Sequence, residues 1–347
     1  MVICQTPFRV SFFGGGTDYP LWYREHGGSV LSTAINKYGY ISCRLLPPFF
    51  DYKHRIVYSK IELAKTTADI IHPAVRNVFQ YLDVQEGIEI HYDGDIPAQS
   101  GIGSSSSFTV GLINALCTLR GQVTSKQSLA EQAIHVEQNL IGETVGSQDQ
   151  IAAAYGGINR IYFLQNGKFE VRPVIVPPVR LEQMRSRMLL FFTGFSRIAE
   201  TIAKSQIENF DQRKNHLNRM MAMVDEAQGI LQNPSSDIND FGILLDEGWQ
   251  LKRELSNKVS NLQIDQIYEK GIRNGATGGK ILGAGGGGFL LFFAPPEKHA
   301  AIRIALSKLI EVPFDFDYGG SQVILYRPDN LNMVSNLRPM RKTGNGG

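Results

Sequence analysis

The sequence predicts an α+β protein built from two domains. Strand and helix patterns occur in both halves of the chain without strict alternation, which argues against a doubly wound parallel sheet. The length of 347 residues agrees with two domains of about 150 residues each. Three prolines, Pro173, Pro177 and Pro178, mark a change in composition, and we place the boundary there. We therefore expect an N-terminal domain, a C-terminal domain and a flexible tail at 1–175, 176–335 and 336–347.

The composition is that of a folded globular protein. Hydrophobic residues make up 43% and charged residues 20% of the chain, which excludes an intrinsically disordered protein. The 35 Lys and Arg residues nearly balance the 33 Asp and Glu residues, so the chain lacks the basic excess of a nucleic-acid binder. Cys4, Cys43 and Cys117 are too few and too far apart for a disulfide framework or a zinc site. We expect reduced thiols, as in a cytosolic protein.

No segment predicts contact with a membrane. The N-terminus lacks the charged and apolar regions of a signal peptide. The densest apolar segments, Met188–Phe192 and Phe289–Ala294, are far shorter than the ~20 residues of a membrane-spanning helix. We therefore expect a cytoplasmic protein.

The first half combines strands with two helices. Apolar residues at helical spacing predict one helix from Ser104 to Leu119. A second helix is predicted from Thr124, where Thr124-x-x-Gln127 resembles a capping box, to Ile141. Alternating, β-branched and aromatic residues predict strands at 2–13, Val30–Ile35, Tyr38–Leu46, Arg55–Tyr58, Ile88–Tyr92 and Ile158–Phe163.

The second half repeats this mixture. Apolar runs predict buried strands at Met188–Thr193 and Phe289–Phe293, and Gln322–Tyr326 is predicted as a last strand. Helical patterns cover 198–231, Ile238–Leu255 and Ala300–Ile310.

The most informative segment is a loop rich in glycine and serine that joins a strand to a helix. It runs from Asp95 to Ser107 with the sequence DIPAQSGIGSSSS. Such a loop presents unpaired backbone N–H groups at the positive end of a helix dipole, which favours a bound phosphate. The alternative is a serine N-cap after a flexible loop. The strand–loop–helix context and the glycine spacing favour phosphate binding.

Familiar nucleotide-binding motifs do not explain the other glycine-rich segments. Gly275–Ile281 has the wrong spacing for a P-loop and an Ile in place of the required hydroxyl. The GxGxxG string at Gly283–Gly288 precedes a strand, the reverse of the dinucleotide-binding context, which excludes a dehydrogenase of that type. The catalytic motifs of protein kinases do not occur.

An arginine within an apolar strand precedes the first glycine cluster. Arg9 is followed by Gly14–Gly16, Thr17 and Asp18. A buried arginine needs an anionic partner, and an aspartate beside exposed amides suits the hydroxyls of a sugar. The alternative is a structural ion pair of Arg9 with an aspartate, followed by an ordinary glycine turn.

Two carboxylates lie between the glycine clusters. Glu137 shares a helix face with Ala130, Ile134 and Ile141, where a carboxylate is costly unless it is paired or bound to a metal. Asp149 lies in the sequence GSQDQ, before a run of small residues. The alternatives are a partly exposed Glu137 at the edge of the apolar stripe and an Asp149 that caps a helix.

The order of these segments resembles that of the GHMP small-molecule kinases over residues 1–330. The resemblance implies an N-terminal domain like ribosomal protein S5 domain 2, a ferredoxin-like C-terminal domain and catalysis in the cleft between them. Among these kinases the chain most resembles those that phosphorylate the anomeric hydroxyl of D-glycero-D-manno-heptose 7-phosphate with ATP. The segments that carry the resemblance are GGGTDYP, HGGSVLSTAINKY, SGIGSSSSFTVGLINAL, VGSQDQIAAAYGG and GATGGKILGAGGGGF.

The resemblance also implies a role for each motif. Asp149 would be the general base, and Arg9 would stabilise the developing negative charge and the carboxylate. Mg²⁺ would bind Ser105 and Glu137. Ser106 and Ser107 replace the alanines of many members, and we expect no effect on the metal. The phosphates of ATP would contact Pro97, Ser100, Gly101, Ile102, Gly103, Ser104, Ser105 and Ser106.

The acceptor sugar would bind Gly15, Gly16, Thr17, Asp18, Gly285, Gly286 and Lys252. A sugar phosphate also needs a receptor for its own phosphate, and Lys252 stands out because it follows Trp249 by three residues beside an apolar face. The basic candidates for this role are Arg24, Lys37, Arg55, Lys60, Arg197 and Lys252.

Other functions stay open at this point. One is a kinase of the same fold that acts on a free sugar, such as fucose or galactose, or on another heptose phosphate. Another is a non-catalytic sugar or nucleotide sensor, which the presence of Ser105, Glu137 and Asp149 disfavours. The sequence does not indicate an oligomeric state.

Overall fold

In a computed structural model of the protein, the chain forms two β-sheets. The structure describes residues 1–98, 100–194 and 199–328. The predicted tail at 336–347 and Arg197 lie outside the described residues. The strands are β1 Val2–Phe13, β2 Gly28–Leu45, β3 His54–Val57, β4 Ile61–Ala64, β5 Ile88–Gly94, β6 Ile158–Phe163, β7 Phe169–Pro173, β8 Met188–Phe192, β9 Gly278–Ile281, β10 Phe289–Phe293, β11 Ile310–Glu311 and β12 Gln322–Tyr326. The α-helices are α1 Pro20–His26, α2 Pro73–Tyr81, α3 Ser104–Leu119, α4 Lys126–His135, α5 Gln148–Tyr155, α6 Pro178–Arg185, α7 Ala199–Ile207, α8 Lys214–Gln232, α9 Asn239–Leu255, α10 Leu262–Arg273 and α11 His299–Ala305.

The first sheet has eight strands and carries most of the N-terminal half. Its main path is β12-β1-β2-β5-β3-β4, and β6 and β7 extend it from β2. Only β3 and β5 pair in parallel among the described residues. Helix α3 packs on β1 and β2, and its buried residues Val110, Leu112 and Leu116 belong to the same core as Phe8 and Val10 of β1. The N-terminus of α3 is thereby fixed beside β1.

The second sheet has four antiparallel strands in the order β11-β8-β10-β9. Helices α9 and α10 pack against it, and the core between them includes Trp249, Ile264, Leu290 and Phe292. Together with the first sheet this confirms the predicted two-domain α+β fold.

The chain returns to the first sheet at its end. Strand β12 pairs with β1, with Val2 opposite Tyr326, and Ile35 forms a bridge with Phe316. The chain passes from the first sheet to the second between β7, which ends at Pro173, and β8, which begins at Met188, and the boundary near residue 175 stays a prediction. The predicted second domain, 176–335, differs from the structure because β12 belongs to the first sheet.

Local differences from the predicted elements have simple causes. The predicted strands Val30–Ile35 and Tyr38–Leu46 form one strand, β2, because Asn36 and Lys37 between them form a β-bulge and do not end the strand. The bulge lies where β2 passes Pro7 of β1, which has no N–H to donate. Ser125, rather than Thr124, caps α4 by accepting from Ser128 N.

The helical region predicted at 198–231 is two helices in the described part, α7 and α8. The chain turns between them at Phe210, whose buried ring packs edge-on against Tyr19 and Trp22. The helix predicted at Ala300–Ile310 ends at Ala305, and Ile310 instead begins β11.

The three cysteines are buried and free, as predicted. Within the described ranges, we find no helix with the length and apolarity needed to span a membrane.

A buried histidine makes the stability of the first sheet dependent on pH. His54 is fully buried, its ring packs edge-on against Phe79, and neither ring nitrogen has a hydrogen-bond partner among the described residues. Burial and the charge of Lys53 lower the pKa of His54 to about 4. Because the folded state disfavours the protonated ring, the stabilisation is complete above the unfolded pKa of about 6.5 and is lost as the pH falls to 4.

We predict that the free energy of unfolding decreases by up to about 3 kcal/mol between pH 6.5 and 4 on account of His54. His54→Leu should remove this component and flatten the acid limb in urea denaturation measured across that pH range. An unchanged acid limb in the variant would show that His54 is not its source.

Candidate active site

A cavity of about 310 Å³ lies between the two halves of the chain, where the family resemblance implies a catalytic cleft. This volume is at the lower end of the range for small-molecule sites. From the N-terminal half it is lined by Arg9, Ser11, Gly15, Gly16, Asp18, Tyr19, Gly101, Gly103, Ser104, Ser105, Ser106, Glu137, Glu143, Thr144, Val145, Gly146, Gln148 and Asp149. From the C-terminal half it is lined by Glu200, Ala203, Gln206, Met220, Lys252, Leu255, Lys280, Gly283 and Ala284.

The predicted phosphate loop opens into this cavity at the N-terminus of α3. Gly103 is the N-cap residue and has a left-handed backbone. Gly101 also has a positive φ of 83°, and a Cβ there would lie 2.6 Å from Leu282 O. The last glycine cluster thus packs directly against the loop, and Phe289 N donates to Ser100 O at 3.2 Å. Gly283 and Gly288 of this cluster approach Gly101 and Ser100 closely, so the cluster supports the loop from behind.

Three of the predicted ATP-binding residues belong to the loop but do not line the cavity. Ser100 Oγ donates to Pro97 O at 2.7 Å, and Arg9 N donates to Ile102 O at 3.0 Å. Ser100 and Ile102 are buried, whereas Pro97 is exposed, and the part of these three residues in ATP binding stays a prediction. Gly101, Gly103, Ser104, Ser105 and Ser106 do line it.

The buried Arg9 has the anionic partner that its sequence context predicted. Its Nε and Nη2 atoms donate to the two carboxylate oxygens of Asp149, each at 2.8 Å. The remaining Nη1 donates to Gly101 O at 2.7 Å. The Arg9 side chain is only 4% exposed, whereas that of Asp149 is 25% exposed, so a ligand in the cavity can reach the carboxylate. Asp149 lies in the first turn of α5, and Ser147, not Asp149, is the N-cap residue.

Glu137 lies where the last turn of α4 widens into a π-helical segment, Val136–Ile141. Such segments are rare and occur frequently at functional sites. Glu137 is 1% exposed, and its Oε2 accepts hydrogen bonds from Ser106 Oγ at 2.9 Å and from Gln150 Nε2. Burial raises the pKa of Glu137 to about 7, against the opposite effect of its hydrogen bonds. The alternative of an exposed Glu137 is therefore wrong.

The Glu137 site fits a magnesium ion. The other carboxylate oxygen, Oε1, is buried and accepts no hydrogen bond of ordinary geometry among the described residues, although the Thr109 hydroxyl lies close enough to lower the pKa of the carboxyl group. Within these residues no cluster of three His, Cys, Asp or Glu side chains could hold a metal alone. Mg²⁺ in kinase sites is typically bound by one or two carboxylates together with substrate phosphates and water, so a single buried carboxylate is compatible with such a site.

A serine next to the predicted metal ligand Ser105 contacts Glu137. Ser106, rather than Ser105, donates to the carboxylate, whereas Ser105 is exposed and lines the same cavity. Gln150 is a second contact that the sequence analysis did not identify. Its position beside Asp149 in the GSQDQ segment was the available signal.

Asp18 forms a second acidic centre in the cavity. Its Oδ1 accepts from Gly16 N at 2.9 Å, and its Oδ2 accepts from Gln148 Nε2 at 3.0 Å. Burial and the nearby charge of Asp149 raise the pKa of Asp18. Gly15 and Gly16 line the cavity next to it. This arrangement can accept hydrogen bonds from ligand hydroxyls.

Some predicted acceptor contacts lie elsewhere. Thr17 is buried and does not line the cavity, since its hydroxyl donates to Gly14 O at 2.7 Å. Gly285 and Gly286 pack against Val259, and Gly286 N donates to Val259 O at 2.8 Å. The cavity is instead lined by the preceding pair of the same loop, Gly283 and Ala284.

Two buried lysines complete the cavity. Lys252 is 8% exposed, and its Nζ donates to the carbonyl oxygens of Ile281 and Gly283. Lys280 is 6% exposed, and its Nζ donates to Phe12 O at 2.7 Å. Burial lowers the pKa of both, that of Lys252 to about 7. Sequence reasoning missed Lys280, because the GGK triplet was tested only as a P-loop.

Lys252 is the candidate phosphate receptor that the structure places in the cavity. Arg24 and Lys60 are exposed, Lys37 and Arg55 are partly exposed, and none of the four lines it. Arg55 instead donates to Glu89 at 3.2 Å.

The comparisons with known proteins agree with this geometry. The family model "GHMP kinases N terminal domain" matches residues 68–157, and "GHMP kinases C terminal" matches residues 227–309. A D-glycero-alpha-D-manno-heptose 7-phosphate kinase of Campylobacter jejuni is 30% identical, over 90% of this chain and 95% of the relative. The chain belongs to the GHMP kinase family. It is therefore an ATP-dependent kinase, and the family that the motif order resembled is confirmed.

Other family members share the fold at lower identity. The crystal structure of a D-glycero-D-manno-heptose 1-phosphate kinase from Bacteroides thetaiotaomicron matches with a TM-score of 0.77 and 22% identity, over 94% of this chain and all of the other. A putative sugar kinase from Campylobacter jejuni matches with a TM-score of 0.67 and 26% identity, over 93% and 97%. A bifunctional fucokinase/GDP-fucose pyrophosphorylase of Arabidopsis thaliana is 27% identical over 88% of this chain, which spans 31% of that protein.

We predict that Gly146→Ala weakens acceptor binding selectively. A Cβ at residue 146 would lie 1.9 Å from Asp18 Oδ2, so the carboxylate must move. Steady-state kinetics should show the acceptor KM raised about tenfold or more, equivalent to ~1.4 kcal/mol of binding, with the KM for ATP unchanged. Gly229→Ala on α8 is the matched control, because nothing lies within 4 Å of its Cβ position. An unchanged acceptor KM in Gly146→Ala would remove Asp18 from the acceptor site.

Proposed function

We propose that this kinase transfers the γ-phosphoryl group of ATP to the anomeric hydroxyl of a sugar phosphate, most specifically D-glycero-D-manno-heptose 7-phosphate. The observation that carries the proposal is the Asp149 carboxylate, which is fixed by Arg9 beside the phosphate loop and exposed to the cavity. The similarity to the Campylobacter jejuni heptose phosphate kinase supports the choice of acceptor.

Asp149 is suited to act as the general base. Each of its oxygens accepts one hydrogen bond from Arg9, and a carboxylate oxygen has a further lone pair to accept a proton. As the anomeric oxygen attacks the γ-phosphorus, its proton passes to Asp149. The new O–P bond forms while the bond from the γ-phosphorus to the bridging oxygen breaks, and ADP leaves. An anomeric hydroxyl is more acidic than an ordinary alcohol, so a carboxylate is an adequate base.

The phosphate loop and Arg9 supply most of the positioning. Phosphoryl transfer depends mainly on alignment and on neutralisation of charge, which backbone amides at the N-terminus of α3 can provide. Arg9 holds Asp149 and Gly101 together, and so keeps the base at a fixed place relative to the loop.

Glu137 and Ser105 are the proposed ligands of Mg²⁺, and Ser106 orients the carboxylate by its hydrogen bond. When bound, the ion would neutralise charge on the ATP phosphates. Asp18, Gly15 and Gly16 are proposed to bind the sugar hydroxyls, and Lys252 the anionic group of the acceptor.

A free sugar is the second candidate acceptor. The similarity to the Arabidopsis thaliana fucokinase favours it, because that enzyme's kinase activity is named for a free sugar. ADP release measured with heptose 7-phosphate, heptose 1-phosphate, fucose and galactose separates the candidates. Phosphorus NMR of the product then gives the position of the new phosphate. A product phosphorylated away from the anomeric carbon would contradict the proposed reaction.

We predict that Asp149→Asn binds ATP normally but loses at least ~10²-fold in kcat, the usual contribution of a general base. ATP affinity is measured by calorimetry and turnover by ADP release. Since the substitution also leaves Arg9 without its charge partner, circular dichroism must verify that the variant is folded.

Glu170→Gln is the control for this substitution. It breaks the exposed ion pair of Glu170 with Arg172, so kcat should stay as in the natural chain. Near-normal turnover of Asp149→Asn would exclude Asp149 as the base.

A further inference from the structure

Lys280 is a buried cation that the proposed mechanism does not use. It lies on β9, in the second sheet, and its ammonium group reaches across to Phe12 O of β1 in the first sheet. With 6% exposure it is almost entirely removed from solvent, yet it lines the cavity. An ammonium group has three N–H donors, and Phe12 O is the one acceptor it has among the described residues.

Lys252 is a second cation of the same kind in the same cavity. Its ammonium group also bonds to carbonyl oxygens alone, those of Ile281 and Gly283, among the residues that the structure describes. Lys252 and Lys280 act on each other electrostatically, since the charge of Lys252 helps to lower the pKa of Lys280. Two buried ammonium groups without a carboxylate partner are unfavourable unless a ligand supplies the negative charge.

No other charged group of the cavity forms an ion pair with these lysines among the described residues. The guanidinium of Arg9 is matched by Asp149, with which it forms two hydrogen bonds. Asp18 acts electrostatically on both lysines, and its own pKa is raised by burial. Glu137, Glu143 and Glu200 also line the cavity, and Glu137 accepts its hydrogen bonds from Ser106 and Gln150. An anionic ligand would be the direct partner that the two ammonium groups lack.

The position of Lys280 favours the acceptor over the nucleotide. Phe12, its partner, lies two residues before Gly14, where the turn that carries Gly15, Gly16 and Asp18 begins. The phosphate loop, by contrast, is contacted by Arg9 through Gly101 O. Lys280 thus adjoins the segment that we assign to the sugar.

We propose that Lys280 and Lys252 form a subsite for the phosphate group that the acceptor sugar already carries, so that this pair selects phosphorylated sugars over neutral ones. The inference rests on the proposed function for the identity of the acceptor. It assigns the selection to two cations from the C-terminal half, whereas Asp18 and the glycine turn of the N-terminal half bind hydroxyls. Binding of a dianion should also draw a proton to Lys252, whose pKa is about 7 in the free protein, facing Lys280, Arg9, Asp18 and Asp149.

The test compares the binding of heptose 7-phosphate and of the free heptose by calorimetry, without ATP. Lys280→Met keeps the length of the side chain but removes the charge. Its affinity for heptose 7-phosphate should fall about 10- to 100-fold, as expected for loss of a hydrogen bond to a charged group. Its affinity for the free heptose should stay within about twofold of that of the natural chain, which is small beside the loss expected for heptose 7-phosphate. Lys280→Arg should restore part of the preference.

Lys126→Met is the matched control. Lys126 is an exposed lysine outside the cavity whose Nζ also donates to carbonyl oxygens, those of Tyr155 and Gly319. It should leave both affinities unchanged. Should Lys280→Met fail to fold, Lys252→Met is measured in the same way, with the same expected loss of preference.

The outcomes separate this inference from the proposed function. Equal loss of affinity for the two heptoses in Lys280→Met would overturn the subsite, as would a natural chain that binds them equally. A chain that binds heptose 7-phosphate through Lys280 but releases no ADP would retain the subsite and contradict the proposed reaction. A kcat that falls equally for both acceptors, with unchanged affinities, would place Lys280 at the transferred phosphoryl group and overturn the inference.

Discussion

The buried guanidinium of Arg9 joins three segments that are far apart in the sequence. It donates two hydrogen bonds to Asp149 on α5 and one to Gly101 of the phosphate loop, and its backbone N–H donates to Ile102 O. A lysine could not reproduce this pattern, because it lacks the planar fork that binds both carboxylate oxygens. The position of the proposed base, Asp149, relative to Gly101 therefore depends on one side chain. The last glycine cluster, Gly283–Gly288, packs against Gly101, so the second domain also contacts the segments that Arg9 joins.

The cavity places buried groups of both signs in an environment that disfavours their charged forms. Burial raises the pKa of Glu137 and Glu143 and lowers that of Lys252 and Lys280. Each shift is toward the neutral form, as desolvation requires. A bound cation near the glutamates and a bound anion near the lysines would reverse these shifts. The cavity is thus electrostatically suited to a ligand set that contains both a cation and an anion, such as the proposed Mg·ATP and sugar phosphate.

Local patterns in the sequence were sufficient for the elements that have strong periodicity. Helix α3, strands β8 and β10, and the loop between β5 and α3 agree with the predicted elements because apolar spacing and glycine position determine them locally. The carboxylate on an apolar stripe, Glu137, was detected for the same reason. Strand β12 could not be assigned to the first sheet, because its pairing with β1 joins residues more than 300 positions apart.

Side-chain contacts across the cleft were the least predictable part. Lys280 and Gln150 reach the site through tertiary packing that no sequence spacing encodes, and the same holds for the hydrogen bond from Ser106 to Glu137. The direction of a hydroxyl at the start of α3 depends on the helix geometry set by Gly103. A sequence motif predicts the residue types that line the cavity, whereas the tertiary fold determines which of their atoms are in contact.

The most direct measurement is a crystal structure of the protein with Mg²⁺ and a non-hydrolysable ATP analogue. The account predicts that the triphosphate lies against the backbone amides of Gly101–Ser106. It also predicts that the ion contacts Glu137 and that the terminal phosphate faces Asp149. A triphosphate bound away from this turn, or a Glu137 that retains only its contacts with Ser106 and Gln150, would contradict it.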